Sequence, residues 1–220
     1  MQVWEVKEVK EVKEVKDECL SRDNSLTPPK YNIMAKIYQF MAEGFEDVEA
    51  LAPVDILRRG GQEIVMVSIT GSEYVTSAHG VTLKTDALFD DVDLADADLL
   101  MLPGGLPGST NLNAHEGLRE SLVKHYESGK RIAAICAAPM VFGSLGLLEG
   151  KRATCYPGCE STMTGAEYTK QLVTIDGNII TGEGPAAAFP YAYAILEIFA
   201  GKAVADQLRE GMMFNHLTAK

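Results

Sequence analysis

The sequence predicts an α/β fold: a doubly wound, mostly parallel sheet sandwiched by helices. Three observations predict it. From residue 35 onward, apolar runs of strand length alternate with amphipathic stretches of helix length. The runs are nearly unbroken, which suits strands covered on both faces. Glycine pairs punctuate the pattern, Gly60-Gly61 after a helix and Gly104-Gly105 after a strand.

Each element follows in order. Residues 36–41 read as the first strand. Residues 45–59 read as a helix, with acids in the first turn and Arg58-Arg59 in the last, as the helix dipole favours. Residues 63–69 are a buried strand; 74–76 and 81–83 are shorter ones. Residues 98–102 form another buried strand, 116–128 an amphipathic helix, 131–135 a strand and 137–145 a helix. Asp176-Gly177 between apolar runs marks a hairpin within 174–180. Helices at 185–199 and 204–210 close the chain.

The 220 residues suit one sizeable domain or two very small ones, and a chain this long needs neither metal nor disulfide to hold a core. Residues 1–34 stand apart as a disordered or extraneous tail, leaving 35–220 as the domain. Residues 6–16 cycle through Glu, Val and Lys with a period of three, which matches neither helix nor strand. No apolar run approaches the roughly 18 residues of a membrane span, and no secretory leader is present, so the expected location is cytoplasmic. A net charge of −11 without any Lys/Arg cluster excludes a nucleic-acid partner. Four cysteines in a chain without an export signal make a disulfide framework unexpected, and Cys155 and Cys159 lack a second pair or nearby His, so no metal site is expected.

In such folds the reactive groups gather at the carboxyl ends of strands. Ile135 runs straight into Cys136, with small residues on both sides and Pro139 to open a helix. Small neighbours permit a strained turn that lifts the side chain above the sheet. A helix N-terminus there would favour thiolate; a buried structural thiol is the alternative. After Leu102, Gly104 and Gly105 let backbone N–H groups approach a ligand, and with the N–H of Ala137 they outline an oxyanion hole. Glu49 lies about one turn into the first helix on its inward face, unlike Asp47. Protonated, it could hydrogen-bond a thiolate and shuttle protons.

These segments occur together and in order, and the sequence resembles the ThiJ/PfpI superfamily, in the branch of the parkinsonism-associated protein deglycase and its bacterial relatives. The match rests on Gly44-Phe-Glu-Asp-Val-Glu49, Pro53-Val-Asp55, Arg58-Arg-Gly60, Leu102-Pro-Gly-Gly105, Ala133-Ala-Ile-Cys136-Ala-Ala-Pro139 and Thr181-Gly-Glu-Gly-Pro185. The resemblance implies a flavodoxin-like sandwich, usually a homodimer, with Cys136 as nucleophile, Glu49 as its protonated partner, and Gly105 and Ala137 as oxyanion-hole donors. It implies no cofactor. The implied substrates are small α-oxoaldehydes or glycated proteins, handled by glutathione-independent glyoxalase or deglycase chemistry with protection against oxidative stress.

Tyr156-Pro157 stands where the best-known members carry His-Pro, and a tyrosine with a pKa near 10 is a poor base. Ala137 follows the cysteine where the peptidase branch has His, which disfavours a cysteine peptidase. The thiamine-biosynthesis label of some relatives carries little weight. His79 is placed near both the site and the dimer interface by the resemblance. Cys155 and Cys159 are read as inert, with resolution of an oxidised Cys136 as the alternative. A redox sensor or chaperone-like protein with little turnover is the rival function.

Overall fold

Four apolar runs lie side by side as the centre of one sheet. A computed structural model describes residues 34–218, so the expectation for the N-terminal tail lies outside the described residues except at exposed Met34. The strands are β1 (Lys36–Met41), β2 (Glu63–Ser68), β3 (Tyr74–Thr76), β4 (Thr82–Lys84), β5 (Ala87–Leu88), β6 (Leu99–Leu102), β7 (Arg131–Ile135), β8 (Arg152–Ala153), β9 (Glu167–Tyr168), β10 (Val173–Asp176) and β11 (Ile179–Gly182). The helices are α1 (Asp47–Arg59), α2 (Gly108–Ala114), α3 (Glu116–Glu127), α4 (Pro139–Ser144), α5 (Ala188–Ala200), α6 (Lys202–Gly211) and α7 (Asn215–Thr218).

The sheet runs in the order β10-β11-β7-β6-β1-β2-β5. Its neighbours pair in parallel except β10 with β11, the hairpin that Asp176-Gly177 announces. Gly177 there takes a φ of 61°, which glycine adopts without the steric cost other residues bear. Ile37 of β1 lies between Ile64 of β2 and Leu99 of β6, so the middle of the sheet is apolar on both sides.

Alternation along β1 divides the core into two layers. Ile37 and Met41 face a layer with Ile56 and Leu57 of α1, Leu196 of α5 and Ala205 of α6. Tyr38 and Phe40 face the other layer, with Leu112 of α2, Leu118 and Leu122 of α3, and Phe142 of α4. Helices thus cover both faces, and the fold is the flavodoxin-like doubly wound sandwich that the sequence predicts. The order in which strands are added reverses between β1 and β6: β2 follows on one side, while β6, β7 and β11 follow on the other. Such a switch point opens a crevice at the carboxyl ends of β1 and β6. Among the described residues, no helix is long and apolar enough to cross a membrane.

Candidate active site

The elbow at Cys136 is the most constrained backbone at this crevice. Cys136 has a φ of 65°, a left-handed conformation that a non-glycine residue holds only when its surroundings enforce it. Both flanking hydrogen bonds are present: its N–H donates to Gly182 O and its carbonyl accepts from Tyr156 N, each at 2.9 Å. The strain lifts the side chain off the end of β7 while leaving it only 8% exposed.

The crevice floor is the loop after β6. At Gly104 an added Cβ would strike Glu49 Oε2 and would meet the Cys136 Cβ at 2.6 Å, so only glycine fits between these two side chains. The Gly104 N–H donates to Glu49 Oε2 at 3.0 Å. Gly105 has a φ of 93°, and its own Cβ would meet Gly44 O at 2.7 Å. That conformation turns the Gly105 N–H towards the Cys136 sulfur, where it acts together with the Ala137 N–H.

Glu49 lies in α1, fully buried, while Glu46 one turn earlier caps the helix by accepting from Glu49 N at 2.7 Å. Burial pushes the Glu49 carboxyl up to about 7; a hydrogen bond with Cys136 pulls it down, the Glu46 charge pushes it up, and the Gly104 N–H pulls it down. For Cys136, burial pushes the thiol well above its ordinary value, and the charge and hydrogen bond of Glu49 push it further. The Gly105 and Ala137 N–H groups act in the opposite direction. This corrects the expectation of a thiol held ionised near neutral pH by a helix end. Helix α4 has six residues and starts only at Pro139, so its dipole is weak and displaced from the sulfur. The pair is instead coupled: it gains one negative charge as Glu49 titrates near 7, and that charge reaches the sulfur only when Glu49 takes up the thiol proton.

The other expected residues divide. Tyr156 reaches Cys136 through its backbone alone. Its side chain is 49% exposed, packs over Gly184, and walls a cavity of about 260 Å3 with Leu172, Glu183 and Pro185. Among the described residues its hydroxyl makes no hydrogen bond, so an auxiliary catalytic role has no contact to act through. The His79 side chain is 67% exposed and bound through Nδ1 to Asp47 Oδ2 at 2.6 Å. That hydrogen bond raises the imidazole's pKa above its ordinary value. Glu46, Asp47 and His79 bring their ligand atoms within 4.8 Å of one another. The capping bond and the ion pair account for this grouping. Cys155 and Cys159 are free thiols. Burial pushes Cys155 up to about 12 and also raises Cys159. A larger cavity of about 450 Å3, lined by Phe89, Leu94, Lys124 and His125, opens at the opposite ends of the strands and contains none of these groups.

The model of the DJ-1/PfpI family matches residues 35–198. The chain belongs to the DJ-1/PfpI family. It is 37% identical over 183 residues to Protein DJ-1 homolog B of Arabidopsis thaliana, covering 82% of this chain and 42% of that one. The chain therefore spans less than half the length of that plant DJ-1 protein. It is 33% identical to the Parkinson disease protein 7 homolog of Danio rerio, covering 77% of this chain and 92% of the relative. To a deglycase of Pyrococcus horikoshii it is 34% identical, covering 71% of this chain and 94% of that protein. Among solved structures, a DJ-1 superfamily protein of Salmonella typhimurium superposes with a TM-score of 0.79 at 31% identity, covering 82% of this chain and 98% of the other. Toxoplasma gondii DJ-1, solved in an oxidised form, gives 0.77 at 32% identity, with coverages of 81% and 98%. In this DJ-1/PfpI chain the elbow, the glycine floor and the buried acid form one site, as the motif order predicts. Two further residues beside that site, Gln39 and Tyr191, carried no signal in a sequence where both sit inside apolar runs.

Proposed function

We propose that the chain is a cysteine-dependent, cofactor-free enzyme acting on reactive α-oxoaldehydes or on their adducts with proteins. One observation carries the reading. A strained, enclosed thiol faces a buried carboxyl whose pKa of about 7 lies at the working pH. A general base is most effective when its pKa lies near the operating pH. Archaeal relatives bearing the name deglycase support the same reading.

In the proposed reaction, ionised Glu49 takes the proton of Cys136 as the sulfur attacks the aldehyde carbon. The Gly105 and Ala137 N–H groups hold the oxygen formed, which takes the proton from Glu49 to give a neutral hemithioacetal and an ionised carboxylate again. Glu49 passes a proton from that carbon to the neighbouring one through an enediol, leaving a thioester on Cys136. Water cleaves the thioester, releases a 2-hydroxy acid and restores the thiol. On a protein adduct the sulfur displaces the amine from the carbinol carbon, and Glu49 gives the thiol proton to the departing nitrogen, which leaves as the repaired side chain. Conversion of methylglyoxal to lactate tests this directly. Cys136→Ser abolishes turnover and Glu49→Gln lowers it by 10²-fold or more; a wild type no faster than either variant removes the enzyme reading.

A redox sensor with little turnover uses the same sulfur. Peroxide would oxidise it within reach of the two N–H groups, and an oxidised form is already known for Toxoplasma gondii DJ-1. Mass spectrometry after mild peroxide separates the readings, since oxidation of Cys136 without aldehyde turnover supports the sensor. A cytoplasmic homodimer completes the proposal. Val48 and Leu51 are exposed on the outer face of α1, and Tyr74 and Val81 are exposed on the hairpin bonded to its start, an apolar surface suited to a second copy. Sedimentation of the purified chain as a monomer at micromolar concentration would remove the dimer.

A further inference from the structure

Three buried polar atoms around Glu49 have no hydrogen-bond partner among the described residues: Glu49 Oε1, the Tyr191 hydroxyl and Gln39 Oε1. Buried polar atoms nearly always find partners, so a group of three at one site calls for a physical reason. Glu49 Oε2 is the oxygen turned towards Gly104 and Cys136, which leaves Oε1 free. Gln39 projects from β1, and its Nε2 donates to Ala50 O at 2.9 Å, so its amide lies against the residue that follows Glu49. Tyr191 reaches in from α5. Its ring packs beside Gly182, whose carbonyl holds the Cys136 N–H. Tyr191 is fully buried, and the Glu49 charge acts on its hydroxyl. A phenylalanine would fill the same apolar space without burying a hydroxyl, so packing alone does not explain the tyrosine.

We propose that Tyr191 is a positioning residue for the chemistry at Cys136: its hydroxyl supplies the hydrogen bond that Glu49 Oε1 requires when ionised, through one bound water shared with Gln39 Oε1. The inference rests on Glu49 acting as the base for Cys136. The titratable groups that face Glu49 are Cys136, Glu46 and Tyr191. Burial keeps the Tyr191 hydroxyl protonated throughout the working range, so it serves as a donor and never as a charge. A donor to the charged form lowers a carboxyl pKa, so Tyr191 holds Glu49 closer to neutral pH than burial alone would.

The test is a pH titration of the Glu49 carboxyl carbon by NMR in 13C-glutamate-labelled protein, with the signal assigned by its loss in Glu49→Gln. Tyr191→Phe moves the Glu49 midpoint up by about one pH unit, and the midpoint of Cys136 alkylation by iodoacetamide moves with it. Placing 3-fluorotyrosine at position 191 makes the hydroxyl a stronger donor and moves both midpoints down, which a purely structural ring would not do. Unchanged midpoints in both proteins overturn the role of Tyr191 while leaving Glu49 as the base. If wild-type Glu49 titrates near an ordinary carboxyl value, the base itself is lost and the tyrosine's role with it.

Discussion

Cys136 and Cys155 are both buried, and in both burial is the first cause of a raised thiol pKa. They differ in what surrounds the sulfur. Among the described residues, Cys155 Sγ makes one hydrogen bond, to Tyr156 O at 3.4 Å, and the carboxylates of Glu160 and Glu183 act on it through their charge without a hydrogen bond. Cys136 has a buried carboxyl that titrates near 7 and two backbone N–H groups directed at the sulfur. Burial alone therefore makes a thiol inert. In the proposed reaction, burial shared with a proton acceptor of intermediate pKa is what lets the Cys136 thiol react.

The largest test of that contrast is the cost of the acceptor. In the unfolded chain the Glu49 carboxyl titrates near 4.5, and in the fold near 7. Between those values the folded protein keeps a proton that the unfolded chain has released, so raising the pH favours unfolding. The contribution is fully present below 4.5 and is lost as pH rises through about 7. Glu49→Gln has no such group, so it gains on the wild type across that window, by roughly 3 kcal/mol at pH 8. Urea unfolding of both proteins at pH 5 and pH 8 measures the gain, and a difference that does not change with pH contradicts the buried acid.

A smaller effect comes from the spacer between the two groups. Gly104→Ala places a methyl group against both Glu49 Oε2 and the Cys136 Cβ. It costs about 2 kcal/mol in thermal unfolding and separates the pair, lowering turnover more than tenfold. Full activity in this variant would show that thiol and carboxyl need no close contact.

Much of this was legible in the sequence. The runs that become β1, β2, β6 and β7 lie within a residue of their expected bounds, because strands buried on both faces leave an unbroken apolar signature. Helix α2 was not legible: Gly-Ser-Thr-Asn are weak helix formers, and the segment is anchored by Gly108 N–H donating to Gly44 O at 3.0 Å, a tertiary bond. The two-residue strands β5, β8 and β9 are too short for any period to show. The expected helix at 137–145 shrinks to Pro139–Ser144 because the turn at Cys136 uses the residues before it. For the site, motif order placed Cys136, Glu49, Gly104, Gly105 and Ala137 together. The sign of the thiol shift was hidden, because it depends on how deeply sulfur and carboxyl are buried against each other.

The most direct test of the account is the rate of alkylation by iodoacetamide against pH, followed separately at Cys136 and Cys155 by mass spectrometry. Cys136 reactivity is expected to rise through about pH 7 with the Glu49 carboxyl, this rise to vanish in Glu49→Gln, and Cys155 to stay unreactive until far more alkaline pH. A Cys136 profile identical in wild type and Glu49→Gln, or one that tracks Cys155, would contradict it.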